Sequence, residues 1–350
     1  MTLITTPVIK VIAVEFERLD MPSGRKMHCQ PMVRLGGISI FTATLFSLLC
    51  FWPSGLLAQY LREDLPTLKL LLLGGSGFFL VGLLDDLFEL SAFNRLWMQG
   101  AISTVLWALG IRIDTLVVPG FTPIYLGFLG LFVTTVWFVG VVNAINWLDG
   151  LDGLAAGAAS IATIVLVVIG AAQAQPLPVL LGMALLGSLL GFLCYNNHPA
   201  TIFMGDGGSY FIGFILASLC VVGPYQLESP FSTLLPLLIL AVPLGDMTSV
   251  ILARLYRRKS PFCADNRHLH HRLLQQDFSH GTTVLIVYCL TVATGIVAFI
   301  LAEASHEYAF GLGLLALMSF LLWQIWHVLK MSSGGSDVVM RKEIWYSENL

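Results

Sequence analysis

Two adjacent carboxylates, Asp85 and Asp86, close an apolar run at Leu83-Leu84. A helix C-terminus carries partial negative charge and neighbouring anions raise one another's proton affinity, so such a pair calls for a cation. Taken alone, a metal, substrate or proton site and a solvated helix end fit it equally. Further on, Asn143, Asn146, Asp149 and Asp152 recur every third residue, with Gly150 and Gly153 unwinding the end of the run. The spacing places four oxygen-bearing side chains on one drifting helical stripe, from which they would converge. Oxygen donors of this kind suit Mg²⁺, which takes few protein groups and completes its shell with water and phosphate. A capped helix-loop-helix turn is the simpler alternative, but it does not need four such groups.

The next polar segment runs from Asn196, Asn197 and His198 through Phe203 into Gly205-Asp206-Gly207-Gly208-Ser209 and an apolar helix. Glycines let backbone N–H groups approach a phosphate, and the helix start adds a positive dipole end. Asp206 would repel that phosphate without a bridging cation; a tight turn with a capped helix is the plainer reading. The last large polar loop carries Arg257, Arg258, Lys259, Asp265, Arg267, His268, His270, His271 and Arg272. Its cations and imidazoles could neutralise or hydrogen-bond a pyrophosphate, or the basic run could simply anchor the loop. A zinc cluster is disfavoured, because Cys263 alone does not complete a four-ligand set. Asp246, within an apolar run, is expected to face the interior or to be paired.

These groups must be positioned by membrane helices. Of 350 residues, 57% are apolar and 11% charged, with mean hydropathy +0.83, against about 25% charged in soluble domains. Soluble folds and disorder are poor fits, and a net charge of −3 argues against a charge-driven nucleic-acid binder. Continuous apolar runs exclude the alternating pattern of an outer-membrane barrel. Six cysteines, several inside apolar runs, do not read as a disulfide framework. The expected fold is therefore an all-α polytopic membrane bundle of about 10–11 transmembrane helices, with helices near 35–57, 67–86, 95–110, 127–145, 154–171, 177–195, 209–223, 232–256, 282–302 and 308–329. The run 1–14 reads as the tail of a helix, 112–126 as a hairpin or surface loop, 1–330 as one transmembrane domain and 331–350 as a polar tail. Lys10 lies in the first run, and Arg62, Lys69 and Arg112 lie on one set of connections; the other fourteen of the 18 basic residues lie on the opposite set. The positive-inside rule puts that second set, with every motif above, in the cytoplasm.

The motifs together resemble the polyprenyl-phosphate N-acetylhexosamine-1-phosphate transferases, which include glycan-initiating enzymes and phospho-MurNAc-pentapeptide translocases. The resemblance covers nearly the whole chain through Asp20 to Pro22, Arg25 to His28, Arg34 to Gly37, Asp85-Asp86, Gln99, Asn143 to Gly153, Pro199 to Asp206, Gly208-Ser209 and His268 to His271. It implies transfer of a HexNAc-1-phosphate from a UDP-sugar to undecaprenyl phosphate at the cytoplasmic membrane, with release of UMP. It also implies a Mg²⁺ cofactor, replaceable by Mn²⁺, held by Asn146 and Asp206. Asp85, Asp86, Asp149, His270 and His271 would be catalytic. Lys26, His28, Asp152, Phe203, Arg267 and His268 would bind substrate, with Asp152 and Phe203 at the uracil. UDP-HexNAc, the polyprenyl phosphate, the bilayer and a second copy in a homodimer are the implied partners. Three departures stand out. The first helix is shorter than the family's, which points to truncation or an upstream start. Arg95 stands where many members carry Lys. Finally, Arg272 follows the histidines where the translocases carry an acidic residue, which favours UDP-GlcNAc over a peptide-bearing nucleotide. The competing classes are a transporter with Asp85, Asp86 and Asp246 along an ion path, and an intramembrane prenyltransferase with Asp-rich motifs.

Overall fold

Long apolar runs punctuated by Gly, Pro and polar clusters fold as helices because each must satisfy its backbone within itself in a bilayer. The computed structural model describes residues 1–15, 19–20, 32–51, 62–117, 122–223, 233–260 and 267–303. The helices are α1 (Thr2–Glu15), α2 (Gly37–Phe51), α3 (Leu65–Phe88), α4 (Ala92–Ala108), α5 (Leu129–Leu148), α6 (Leu154–Ala172), α7 (Pro176–Asn196), α8 (Gly205–Val222), α9 (Leu234–Ile239), α10 (Ala241–Tyr256), α11 (Leu269–Leu274) and α12 (His280–Glu303). Two short antiparallel pairs join them: β1 (Leu19–Asp20) with β2 (Met32–Val33), and β3 (Thr115–Leu116) with β4 (Ile124–Tyr125). The second pair is the hairpin expected over 112–126.

Among the described residues six helices, α3, α5, α6, α7, α8 and α12, are long and apolar enough to cross a membrane. The chain is a multi-pass, all-α membrane protein. Large apolar side chains such as Leu73, Phe132, Leu285 and Ile296 are exposed on the outside of the bundle, as a lipid-facing surface requires. The expected span 308–329 and the tail 331–350 lie outside the described residues. The span expected as one helix over 232–256 is instead two, α9 and α10, meeting at Leu240. Pro243 explains the break: it has no N–H to give the carbonyl of Ile239, and its ring crowds that carbonyl.

The centre of the bundle is α8, buried along nearly its whole length. It packs mainly against α3 and α5, with α2 on a further side, while α6 and α7 pair beside it and α12 lies on α6. Close approach of backbones makes this possible. A Cβ at Gly82 of α3 would strike the Asp206 carbonyl at the start of α8, and one at Gly37 of α2 would strike the Gly208 backbone. The same glycines bring the polar ends of α2, α3 and α8 into one place. The segment before α8 is tied down by backbone hydrogen bonds: Phe203 N–H donates to the Val33 carbonyl (2.8 Å), Gly36 N–H to Phe203 (2.9 Å) and Gly37 N–H to Met204 (2.7 Å).

Candidate active site

The end of α3 meets the start of α8. Asp86 accepts the backbone N–H of Asp206 on one carboxylate oxygen and that of Gly207 on the other, both at 2.9 Å. It thereby caps α8, where a negative charge complements the helix dipole and the first unpaired N–H groups. The turn that presents those groups depends on Gly205, whose φ of 75° lies in the left-handed region. A side chain there would also meet the Arg34 carbonyl and the Asp86 carboxylate. Both Asp86 oxygens, on a residue expected to be catalytic, are thus engaged by backbone N–H groups at the start of α8. Asp85 is also buried, and its carboxylate accepts from Arg95 at 2.6 Å; the same guanidinium lies 3.8 Å from Asp206.

From α5, Asn146 reaches Asp206 (Nδ2 to Oδ1, 2.6 Å) and the Ser209 hydroxyl (3.0 Å). The Asn/Asp stripe does not converge as a set of four. Asn143 donates to Gln99 at 2.7 Å, one turn below the site. The helix ends at Leu148, so Asp149 is its C-cap and Asp152 lies in the following turn. Desolvation pushes the Asp149 carboxyl up to about 7; Arg34 offsets part of this, and Asp86 and Asp152 add to it. Arg34 acts electrostatically on Asp86, Asp149 and Asp206 together, which makes it the shared counter-charge of the cluster. Asp152 accepts the Ala200 N–H at 3.0 Å and pairs with His198 at 2.8 Å. Phe203, expected beside it at the uracil, is half-buried in the same 199–204 segment.

The histidine loop folds onto the other side. Asp246 of α10 is buried, as expected; it accepts the Leu269 N–H (2.7 Å) and pairs with His268 Nδ1 (2.8 Å). One carboxylate thus starts α11 and fixes the His268 ring, which lies edge-on to Trp147 with centroids 5.4 Å apart. Arg254 covers that indole from α10, 5.1 Å from its centroid. His270 is buried and lies so close to Gly150 that a Cβ there would collide with its Nε2. Burial pulls the His270 imidazole down to about 3; His271 adds to this, Asp246 opposes it and His268 adds again. His271 stacks obliquely on His270 at 4.3 Å. Arg267 is half-buried at the start of this loop, and Lys26 and His28 lie outside the described residues.

The sequence that builds this site is similar to those of known proteins. The model for glycosyl transferase family 4 matches residues 68–224. A probable undecaprenyl-phosphate N-acetylglucosaminyl 1-phosphate transferase of Bacillus subtilis is 35% identical over 304 residues, 87% of this chain and 82% of its own length. The chain belongs to glycosyl transferase family 4. A decaprenyl-phosphate N-acetylglucosaminephosphotransferase of Mycobacterium leprae is 32% identical over 85% of this chain and 79% of its own. An undecaprenyl-phosphate alpha-N-acetylglucosaminyl 1-phosphate transferase of Haemophilus influenzae is 29% identical over 94% and 92%. Within this family member, several supporting residues had no assigned role in the sequence reading. Arg34 and Gln99 stood in its motifs without one. Asn196, which accepts the Gly153 N–H (3.1 Å) and donates to the Ile202 carbonyl (2.9 Å), pins the Asp152 turn to the segment that carries Phe203. Its position in Asn196-Asn197-His198 was the available signal.

Proposed function

We propose that the chain transfers GlcNAc-1-phosphate from UDP-GlcNAc to undecaprenyl phosphate at the cytoplasmic face of the membrane, releasing UMP. The observation that carries this reading is the gathering of Asp85, Asp86, Asp149 and Asp206 around Arg34 and Arg95 at the start of α8, beside the imidazoles of α11. Four carboxylates against two guanidiniums leave an excess of negative charge that suits a divalent cation. The nearby donors are oxygens, as Mg²⁺ prefers, and Asp206 with Asn146 would hold the ion once the Asn146 amide is turned to present its oxygen. Bound there, Mg²⁺ would neutralise charge on the pyrophosphate and on departing UMP.

The chain's own residues supply the rest. An oxygen of the lipid phosphate attacks the β-phosphorus, and the bond from that phosphorus to the oxygen bridging to the α-phosphorus breaks. In such transfers catalysis is mostly positioning and charge neutralisation. Arg95, anchored by Asp85, and Arg34 are the cations that face phosphate. His268, held by Asp246, and the neutral His270 offer hydrogen bonds to the pyrophosphate and sugar, and Asp152 with Phe203 faces the uracil. An apolar cleft of about 500 Å³, lined by residues including Ile113, Phe132, Trp137, Gly140, Leu237 and Met247, lies between α5, α9 and α10. It is the proposed seat of the polyprenyl chain. The test is to supply UDP-GlcNAc labelled at the β-phosphate with undecaprenyl phosphate, with and without Mg²⁺. Label in the lipid with UMP release is expected. UDP release would mean ordinary glycosyl transfer, label transfer only from a peptide-bearing nucleotide would mean a translocase, and no turnover would favour a transporter.

A further inference from the structure

Two histidines that the proposed reaction does not use meet one of its carboxylates at the rim of the site. Asp152 lies in the turn before α6, His198 in the loop after α7, and His280 is the first residue of α12. Three separate elements thus bring a carboxylate oxygen and two imidazole nitrogens within 4.8 Å of one another. His198 Nδ1 is 2.8 Å from Asp152 Oδ2, and the two imidazoles stack with centroids 4.1 Å apart. His280 Nδ1 is buried and without a hydrogen-bond partner among the described residues, a state that buried polar atoms rarely hold without a ligand or water.

We propose that Asp152, His198 and His280 form a binding site for a borderline transition-metal dication of the Zn²⁺ class, separate from the oxygen-rich Asn146 and Asp206 site. Imidazole donors select Zn²⁺ over Mg²⁺. Two neutral imidazoles with one carboxylate make the three-ligand pattern that leaves a fourth position open to water. On a tetrahedral ion with ligands about 2.0–2.1 Å away, donor atoms lie about 3.3 Å apart. The Asp152–His198 pair therefore opens slightly and the His280 ring turns inward. The His198 side chain, 57% exposed, has room to follow. Metal binding also joins α12 to the loops that carry Asp152 and Phe203. Because Asp152 is a proposed uracil contact, an occupied site would compete with the nucleotide; that consequence rests on the proposed function, whereas the binding itself does not.

The experiment is a calorimetric Zn²⁺ titration of the full chain in detergent, first stripped with a chelator. One stoichiometric site is expected, weakened by at least about 100-fold in His198→Ala and in His280→Ala and kept in a His270→Ala/His271→Ala double variant. Absence of that site in the wild type, unchanged affinity in both single variants, or its loss in the double variant alone overturns the proposal. His280→Cys covers the case in which alanine variants unfold. With Co²⁺ it should show a thiolate-to-metal charge-transfer band absent from the wild type, and a folded His280→Cys protein lacking the band also counts against the site. If Zn²⁺ binds as expected but the labelled transfer fails, the reaction is refuted and the metal site stands.

Discussion

Neutralising Asp246 while keeping its shape tests whether the histidine loop works through a carboxylate that never needs to touch substrate. In the structure one Asp246 oxygen takes the Leu269 N–H at 2.7 Å and the other pairs with His268 Nδ1 at 2.8 Å, with both Asp246 and His268 buried. Hydrogen bonds to an ionised group contribute about 1.5–3 kcal/mol, and neutral ones about 0.5–1.5 kcal/mol. Asp246→Asn keeps an oxygen for Leu269 but replaces two charge-assisted bonds by neutral ones, a loss of roughly 2–3 kcal/mol. If orientation of His268 carries that energy into the reaction, kcat/KM falls about 30- to 150-fold at 1.36 kcal/mol per tenfold. The assay is β-phosphate transfer over a range of UDP-GlcNAc concentrations for wild type, Asp246→Asn, His268→Gln and the double variant. Two residues acting as one unit should be strongly non-additive, the double variant being little worse than His268→Gln. A structural role alone would lower thermal stability and leave the two losses additive. Activity of Asp246→Asn within about twofold of wild type, or additive losses, refutes the reasoning.

Other perturbations read separate parts of the site. Gly150→Ala places a methyl group against His270 Nε2; overpacking of this kind costs about 1–3 kcal/mol, so transfer should fall at least about fivefold, and an unchanged rate would show that His270 need not sit there. Asp86→Asn weakens the cap of α8, and a loss of about 1–2 kcal/mol should appear as a lower melting temperature in detergent together with a weakened Mg²⁺ requirement profile. His270 is pulled down to about 3 in the folded chain from about 6.5 unfolded. The unfolded chain therefore binds the extra proton between those values, and stability is present above pH 6.5 and lost as pH falls toward 3, by up to about 1.4 kcal/mol per pH unit. Melting curves at pH 7.5 and 5.5 should show a smaller acid-induced drop for His270→Gln than for wild type, and equal drops would contradict the burial argument. Gly140 lines the apolar cleft and has open space where a Cβ would go. Gly140→Phe should thus raise the KM for undecaprenyl phosphate without lowering the melting temperature, whereas an unchanged KM would move the lipid chain elsewhere.

What the sequence disclosed follows from the range of the interactions involved. Apolar runs report burial in lipid directly, so α3, α6 and α7 fall within a few residues of their expected limits. The Pro243 break was equally local, since one missing N–H decides it, but a hydropathy reading averages over it. The polar ends divide differently. Asp85, Asn146, Asp206 and Asp246 were identifiable as unusual because ionic or amide groups beside apolar helices need a reason. Their partners were not identifiable in the same way. Asp206 meets Asp86 across 120 residues and Asn146 across 60, and a three-residue spacing cannot tell that Asn143 turns to Gln99 while Asn146 turns to Asp206. Those choices are made by close backbone approaches, Gly82 against Asp206 and Gly37 against Gly208, whose glycines look like any others in an apolar run. The same argument accounts for Asp86. Alone, a second carboxylate beside Asp85 reads as spare charge for chemistry; once α8 is brought end-on to it, two unpaired N–H groups claim both oxygens. The spare charge then lies on Asp149 and Asp206, which is where a cation and a phosphate would have to meet.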